Sequence, residues 1–196
     1  MNHYFTNNEK LESKPKEIKA VFSVYTFSFI TDNGVFSKNN VDYGSRVLIN
    51  AFKANNGRIL DVGCGYGPIG IVLGKLNPEL RIDMVDINDR AIELTKTNIK
   101  RNNISNVYVK KSNLYEDVTD KYSSIISNPP IRAGKHIVHA IIEEAKEYLE
   151  ELGELWIVIQ KKQGAPSAKN KMTEVFGNAE VVERDKGYLI IKSVKQ

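Results

Sequence analysis

Apolar residues fall along this chain in two rhythms. The first runs from Lys19 to Phe36, where Val21, Phe22, Val24, Tyr25, Phe27 and Phe29 alternate partially with polar positions until Thr31-Asp32-Asn33-Gly34 breaks the run. β-branched and aromatic residues at that spacing predict a strand or hairpin, because successive side chains of a strand point to opposite faces. Asp42 then suits the cap of a helix carrying Val47, Leu48 and Ala51, with a stop near Asn55-Asn56-Gly57.

The second rhythm is a repeated exchange of short apolar runs and longer amphipathic ones. Arg58–Val62 reads as a buried strand, Pro68–Leu76 as a helix, and Arg81–Val85 as a strand closed by Asp86. Asn88 caps a helix through about Arg101, with Ala91, Ile92, Thr95 and Ile99 on one face. Val107–Val109 and Tyr122–Ile126 are strands, Ile137–Leu149 a helix, Leu155–Gln160 a wholly apolar strand and Ala165–Phe176 the last helix. Ala179–Val182 and Tyr188–Ile191, joined through Asp185-Lys186-Gly187, form a terminal hairpin. Such alternation implies parallel strands covered by helices on both faces. The expected fold is α/β: a single Rossmann-like, doubly wound domain with a mostly parallel seven-stranded sheet, an antiparallel C-terminal hairpin and a small N-terminal β extension. Residues 1–18 read as a flexible arm, 19–57 as the extension and 58–196 as the core.

Composition narrows the class. The chain has 196 residues, 41% apolar and 27% charged, an ordinary balance for one globular domain. No apolar run reaches membrane-spanning length, and Met1 to Lys19 is polar, so a soluble cytoplasmic protein is expected. One cysteine, Cys64, cannot form an internal disulfide. It has no evident base beside it, so it reads as a small loop residue rather than a nucleophile. The net charge of +4 permits an acidic partner such as RNA without requiring one. Trp156 and the phenylalanines of the first hairpin read as core. His136 and His139 lack a third ligand, so no metal is expected.

In an open α/β sheet, ligands bind beyond the carboxyl ends of the strands. Asp61-Val62-Gly63-Cys64-Gly65-Tyr66-Gly67-Pro68 lies at such an end. Gly63, Gly65 and Gly67 permit tight turns and close approach of a ligand. Asp86, followed by Ile87, ends the next strand, where a carboxylate accepts both hydroxyls of a ribose. Asn113 meets an adenine amine, with Leu114 beside the ring. Gly65, Gly67 and Gly70 also spell Gly-x-Gly-x-x-Gly, the fingerprint of dinucleotide sites. Asp61 decides against a dinucleotide, since a carboxylate just before the loop opposes a pyrophosphate. It suits S-adenosylmethionine, which carries an ammonium and a sulfonium and no phosphate. After the fourth core strand comes Ser127-Asn128-Pro129-Pro130-Ile131-Arg132. The Asn128 side-chain oxygen and the Pro129 carbonyl are two acceptors on a turn that Pro129 and Pro130 stiffen. Together they grip both hydrogens of a planar amine and hold it pyramidal, so that its lone pair points at the cofactor methyl. Arg132 and Lys135 flank this acceptor pocket and suit phosphates.

Glycine loop, acidic strand end and Asn-Pro-Pro turn, in this order, resemble the class I methyltransferases. The resemblance is to the methyltransferase small domain family, which includes ribosomal RNA guanine-N2 methyltransferases, and it runs roughly from Phe22 to Lys192. Gly34-Val35-Phe36-Ser37 with Asp42-Tyr43-Gly44-Ser45 also looks like the family segment that precedes the cofactor loop and lies over cofactor and acceptor, which implies a cofactor contact for Phe36. The fourth position of the amine-binding motif, often aromatic in the family, is Ile131 here. Two-domain members carry a second, degenerate domain, for which this chain is too short. The resemblance implies S-adenosylmethionine as cofactor, Asn128 touching both cofactor and amine, and ribosomal RNA or the small ribosomal subunit as partner. Within the same chemistry the alternative acceptor is a protein glutamine amide. From another class the alternative is a non-catalytic RNA-binding or assembly protein of the same fold.

Overall fold

The strand and helix runs from Arg58 onward build the core that the spacing predicts. A computed structural model describes residues 12–196. It begins with a hairpin, β1 (Lys16–Phe22) and β2 (Tyr25–Thr31), followed by α1 (Tyr43–Ala51). The core then runs β3 (Arg58–Val62), α2 (Pro68–Leu76), β4 (Arg81–Asp86), α3 (Asp89–Arg101), β5 (Val107–Lys111) and β6 (Tyr122–Ser127). It finishes α4 (Lys135–Tyr148), β7 (Leu149–Gln160), α5 (Ala165–Phe176), β8 (Glu180–Asp185) and β9 (Tyr188–Val194). Seven strands form one sheet in the order β5-β4-β3-β6-β7-β9-β8. The first five are parallel, and β9 pairs antiparallel with both β7 and β8. The chain runs outward from β3 through β4 to β5 and then returns to β6 on the other side of β3. That reversal opens the crevice where α/β sheets hold ligands.

Each sheet face has its own core. The hairpin and α1, α2 and α3 cover one with Phe27, Phe29, Leu48, Ile71 and Leu73; α4 and α5 cover the other with Ile141, Ile142, Met172 and Phe176. Trp156 and the hairpin residues Phe22, Phe27 and Phe29 are buried, as core residues.

Several boundaries differ from those expected. Of the arm expected over residues 1–18, residues 1–11 lie outside the described residues, while Lys16, Glu17 and Ile18 already belong to β1. Ser13 Oγ and the Lys14 amide both donate to Asp32, at 2.7 and 2.5 Å. The hairpin reverses at Ser23-Val24, not at Thr31-Gly34, and Ser23 takes the left-handed conformation there. Asp32-Asn33-Gly34 instead leads from β2 toward the cleft. α1 ends at Ala51, ahead of the Asn55-Asn56-Gly57 stop. β7 starts at Leu149 rather than Leu155, and its register against β6 shifts between Tyr122 and Ser124. One-turn 3-10 helices at Ile131–Ala133 and Lys161–Gln163 carry no apolar period and were not expected.

The hairpin is fastened to α3 by two asparagines one turn apart. Asn98 accepts from the Ile30 amide at 2.7 Å and donates to the Ile30 carbonyl at 3.0 Å. Asn102 does the same to Ser28 at 3.0 and 2.8 Å. Each side-chain amide thus takes the place of a neighbouring strand, satisfying edge groups of β2. Asn98 also donates to the Tyr66 carbonyl at 2.9 Å, which ties the hairpin to the glycine loop.

Gly70 lies where α2 presses on β4, and a Cβ there would sit 2.3 Å from Met84 Sδ and 2.7 Å from Met84 Cγ. Helix propensity alone predicts that Gly70→Ala gains about 1 kcal/mol. Met84 is fully buried and has nowhere to retreat. Overpacking therefore wins, and the expected result is a loss of about 1–3 kcal/mol in urea unfolding. A gain in stability would show that the α2–β4 approach is looser than described.

Candidate active site

The loop between β3 and α2 is shaped by its backbone. The Gly63 and Cys64 amides both donate to the Val85 carbonyl, at 2.9 and 3.0 Å, and the Gly67 amide donates to the Cys64 carbonyl at 3.0 Å. Gly63 and Gly65 have φ of +75° and +59°, and a Cβ on either would meet nothing within 4 Å. Their bare backbone faces open space, as close approach of a ligand requires. Gly67 differs. It precedes Pro68 as the cap of α2, and a Cβ on it would strike Ile71 and Thr95 at 2.9 Å. It serves the packing of loop on helix and does not line the cleft, a correction to the cofactor contact expected of it.

Asp61 sits behind the loop. Side chains alternate along β3, so Asp61 shares with Ile59 the face that meets α2. Its Oδ2 accepts from the Gly70 amide at 3.1 Å, in the first turn of α2, which places a carboxylate where a dinucleotide site would hold its pyrophosphate. The Gly-x-Gly-x-x-Gly reading fails on this contact. Asp61 is fully buried, and its Oδ1 has no hydrogen-bond partner; among the described residues only Ser124 Oγ shares that condition. Burial pushes the Asp61 carboxyl up to about 7, the Gly70 amide opposes the shift, and the charge of Asp86 adds to it.

Asp86, at the end of β4, accepts from the Gly65 amide at 2.8 Å and the Asn88 amide at 2.9 Å. Burial raises its carboxyl above the usual range while those amides pull it down. The Cys64 thiol, buried and facing Asp86 and Asp61, is raised well above its ordinary value, so it stays protonated and unreactive. Asn113 donates its side-chain NH2 to Glu116 at 2.8 Å, which leaves the amide oxygen as the acceptor that an adenine amine requires.

Across the crevice, Ser127 Oγ donates to the Val62 carbonyl at 2.8 Å and locks the end of β6 to that of β3. Asn128 follows. Its NH2 donates to Asp42 Oδ2 and to Ser45 Oγ, each at 2.9 Å. An ionised carboxylate only accepts, so the nitrogen of Asn128 must face Asp42 and its oxygen must face away. Asp42 is also the cap of α1, accepting from the Ser45 amide at 3.1 Å. Sequence reasoning identified the cap but not its second partner.

These elements enclose a cleft of about 340 Å³. Phe36, Gly63, Gly65, Asp86, Ile87, Asn113, Leu114, Asn128, Pro129 and Pro130 line it, which brings together most of the residues expected at the site. Val35, Phe36 and Ser37 are laid over it because Asn88 Nδ2 donates to the Gly34 carbonyl at 3.1 Å and Arg90 to the Asn33 carbonyl at 2.7 Å. Ile131, Arg132 and Lys135 do not line the cleft, and neither does Asp61, which stays fully buried behind the glycine loop and faces the site only through it. Ile131 packs against the core beneath α4, and Arg132 and Lys135 lie on the surface beside it. In their place Ala133, His136 and Ile137 form the wall beyond Pro130. His136 was not among the residues expected at the site; it is exposed on the first turn of α4, and that position directly after the Asn-Pro-Pro turn is the signal that places it here.

The residues fit S-adenosylmethionine. The buried, unpartnered Asp61 Oδ1 suits a cationic group, Asp86 a diol, and Gly63 and Gly65 a closely approaching chain. Among the described residues no cluster of three or more His, Cys, Asp or Glu side chains suits a metal ion, and no helix is long and apolar enough to cross a membrane.

Comparisons with known proteins agree with this geometry. An uncharacterized protein of Bacillus subtilis, YbxB, is 48% identical over 197 residues, covering 98% of each chain. The ribosomal RNA small subunit methyltransferase C of Photorhabdus laumondii is 35% identical over 83% of this chain, which spans 48% of that protein's length. Among solved structures, the Thermus thermophilus 16S rRNA N2 G1207 methyltransferase, determined with AdoMet and guanosine, superposes with a TM-score of 0.84 at 20% identity, over 95% of this chain and 52% of that one. At that identity the match speaks for the fold. Residues 26–192 match the methyltransferase small domain, and the chain belongs to that family.

Proposed function

We propose that this protein is an S-adenosylmethionine-dependent N-methyltransferase whose acceptor is an exocyclic amine, guanine N2 of ribosomal RNA. The observation that carries the reading is the orientation of Asn128. With its nitrogen spent on Asp42 and Ser45, its oxygen is the group left for a substrate, and an oxygen accepts a hydrogen bond from an amine. The bound cofactor supplies an electrophilic methyl on a sulfonium. Asp61, Gly63, Gly65, Asp86, Ile87, Asn113, Leu114 and Phe36 hold it. Asn128 Oδ1 and the Pro129 carbonyl take the two amine hydrogens, which draws the nitrogen lone pair out of conjugation and aims it across the crevice. Pro129 and Pro130 bring no backbone N–H to compete for those acceptors. No strong base is needed before attack, since the ammonium formed afterwards is acidic and loses its proton to water.

Support for ribosomal RNA comes from the curated relatives named for that substrate, from the net charge of +4, and from Arg132 and Lys135 beside the cleft. The test is transfer of labelled methyl from S-adenosylmethionine to ribosomal subunits and to free RNA from cells lacking this protein, followed by nucleoside analysis. The expected product is N2-methylguanine. Label confined to protein would move the acceptor to a glutamine amide. No label despite cofactor binding would leave an assembly protein.

A further inference from the structure

We propose that Asp42 and Ser45 are positioning residues for amine methylation, acting by dictating which end of the Asn128 side chain faces the acceptor. The inference rests on the amine-methylation reading and extends it to residues on another element.

An asparagine amide is nearly symmetric in shape, and its two ends differ chemically: one accepts, the other donates. Turned over, Asn128 would present an NH2 to an amine that also carries only donors at those positions, and the grip would become a repulsion. Nothing within the Asn-Pro-Pro turn prevents this. Asp42 does, because Oδ2 cannot donate and lies 2.9 Å from the amide nitrogen. Ser45 Oγ, buried and 2.9 Å from the same nitrogen, takes the second hydrogen. Both groups stand on one rigid unit, since Asp42 Oδ2 simultaneously caps α1 through the Ser45 amide. Gly44 belongs to the same device. A Cβ there would lie 2.8 Å from the Tyr188 ring and 3.0 Å from Asp42 Oδ2, so the turn approaches β9 closely enough to fix where the carboxylate sits. Helix capping alone would not need aspartate at this position, as serine and asparagine cap equally well.

That equivalence supplies the test. Asp42→Ser keeps a capping oxygen but replaces an obligate acceptor with a hydroxyl that both donates and accepts. Asp42→Asn keeps one acceptor oxygen in the place of Oδ2 without the charge. With ribosomal subunits from cells lacking this protein as acceptor, the expected order of kcat is wild type, then Asp42→Asn, then Asp42→Ser. The last should be at least tenfold down, with the cofactor Kd, the acceptor KM and the melting temperature of both variants close to wild type. Ser45→Ala should show a smaller loss of the same kind. In an Asn128→Ala background Asp42→Ser should cost nothing further, because it acts only through that side chain. Full turnover in Asp42→Ser, or an equal loss in both backgrounds, overturns the proposal.

A readout independent of any acceptor separates this from failure of the methylation reading. The Asn128 side-chain NH2 pair, assigned by its disappearance in Asn128→Ala, should shift in the NMR spectrum of Asp42→Ser. If wild type methylates nothing and the pair shifts, the orientation stands and the methylation reading falls. An unchanged pair removes the orientation itself.

Discussion

Replacing Asn128 with alanine should lower turnover by about 10²–10³-fold, the loss seen when one preorganised hydrogen-bonding group is taken from a reacting centre. Cofactor affinity should stay within about twofold, because the cofactor contact implied for Asn128 is one among several and Gly63, Gly65 and Asp86 stand on the other side of the crevice. The substitution removes one acceptor of the amine grip and leaves the Pro129 carbonyl, so the amine is held at one point and its lone pair is no longer aimed. It also frees Asp42 Oδ2 and Ser45 Oγ from one donor each, at a cost in stability of about 1 kcal/mol, since Asp42 keeps the Ser45 amide. Single-turnover kinetics with saturating cofactor separate the two effects. An intact chemical step in Asn128→Ala would end the assignment of this turn to the amine.

Asn128 also shows where sequence reading stops. The Asn-Pro-Pro turn was legible, and so was its place at a strand end, because apolar runs such as Ile59–Leu60 and Ile125–Ile126 announce buried parallel strands locally. The orientation of the amide was not, because it depends on a partner 86 positions away in the chain. The same division holds elsewhere. α2, α3 and α5 matched their expected limits where a cap or a proline marks the start. The first hairpin was misplaced because Thr31-Asp32-Asn33-Gly34 has the composition of a turn, while the actual reversal at Ser23-Val24 has no glycine or asparagine to signal it. The pairing of β1 with β2 and the clamp of Asn98 and Asn102 on β2 decide the matter, and neither is a local property. Gly67 and Gly63 look alike in sequence. Only the space around each, crowded by Ile71 and Thr95 in one case and open in the other, separates a packing glycine from a ligand-facing one.

Asp61→Asn should make the cofactor-free protein more stable and the cofactor bind more weakly. The Asp61 carboxyl, with its value near 7 in the fold, ionises near 3.9 in an unfolded chain. The folded state therefore holds this proton more tightly than the unfolded state. The stability associated with protonated Asp61 is fully present below about pH 4 and is lost as pH rises through 7. Above that, a charged carboxylate is buried with Oδ1 unpartnered and with Asp86 nearby. Asparagine keeps an oxygen for the Gly70 amide and exchanges one orphaned polar atom for another, while removing the charge. At pH 8 the gain in unfolding free energy should be on the order of 1–3 kcal/mol, shrinking toward zero near pH 4. Binding runs the other way. With Asp61 assigned to the cofactor as proposed, the ammonium and sulfonium of S-adenosylmethionine would relieve the buried negative charge, so wild-type affinity should weaken as pH falls below 7 and binding there should release a proton. Asp61→Asn should bind about tenfold to a hundredfold less tightly at pH 8, as expected for a lost charge-assisted contact, and with little pH dependence. Urea unfolding across pH and calorimetric titration in buffers of different ionisation enthalpy measure both halves. A variant that is less stable without cofactor at pH 8, yet binds it as well as wild type, would show that Asp61 serves the α2 terminus alone. Opposite movement of the two quantities would mean that the cofactor-free fold carries an uncompensated charge that the cofactor then neutralises.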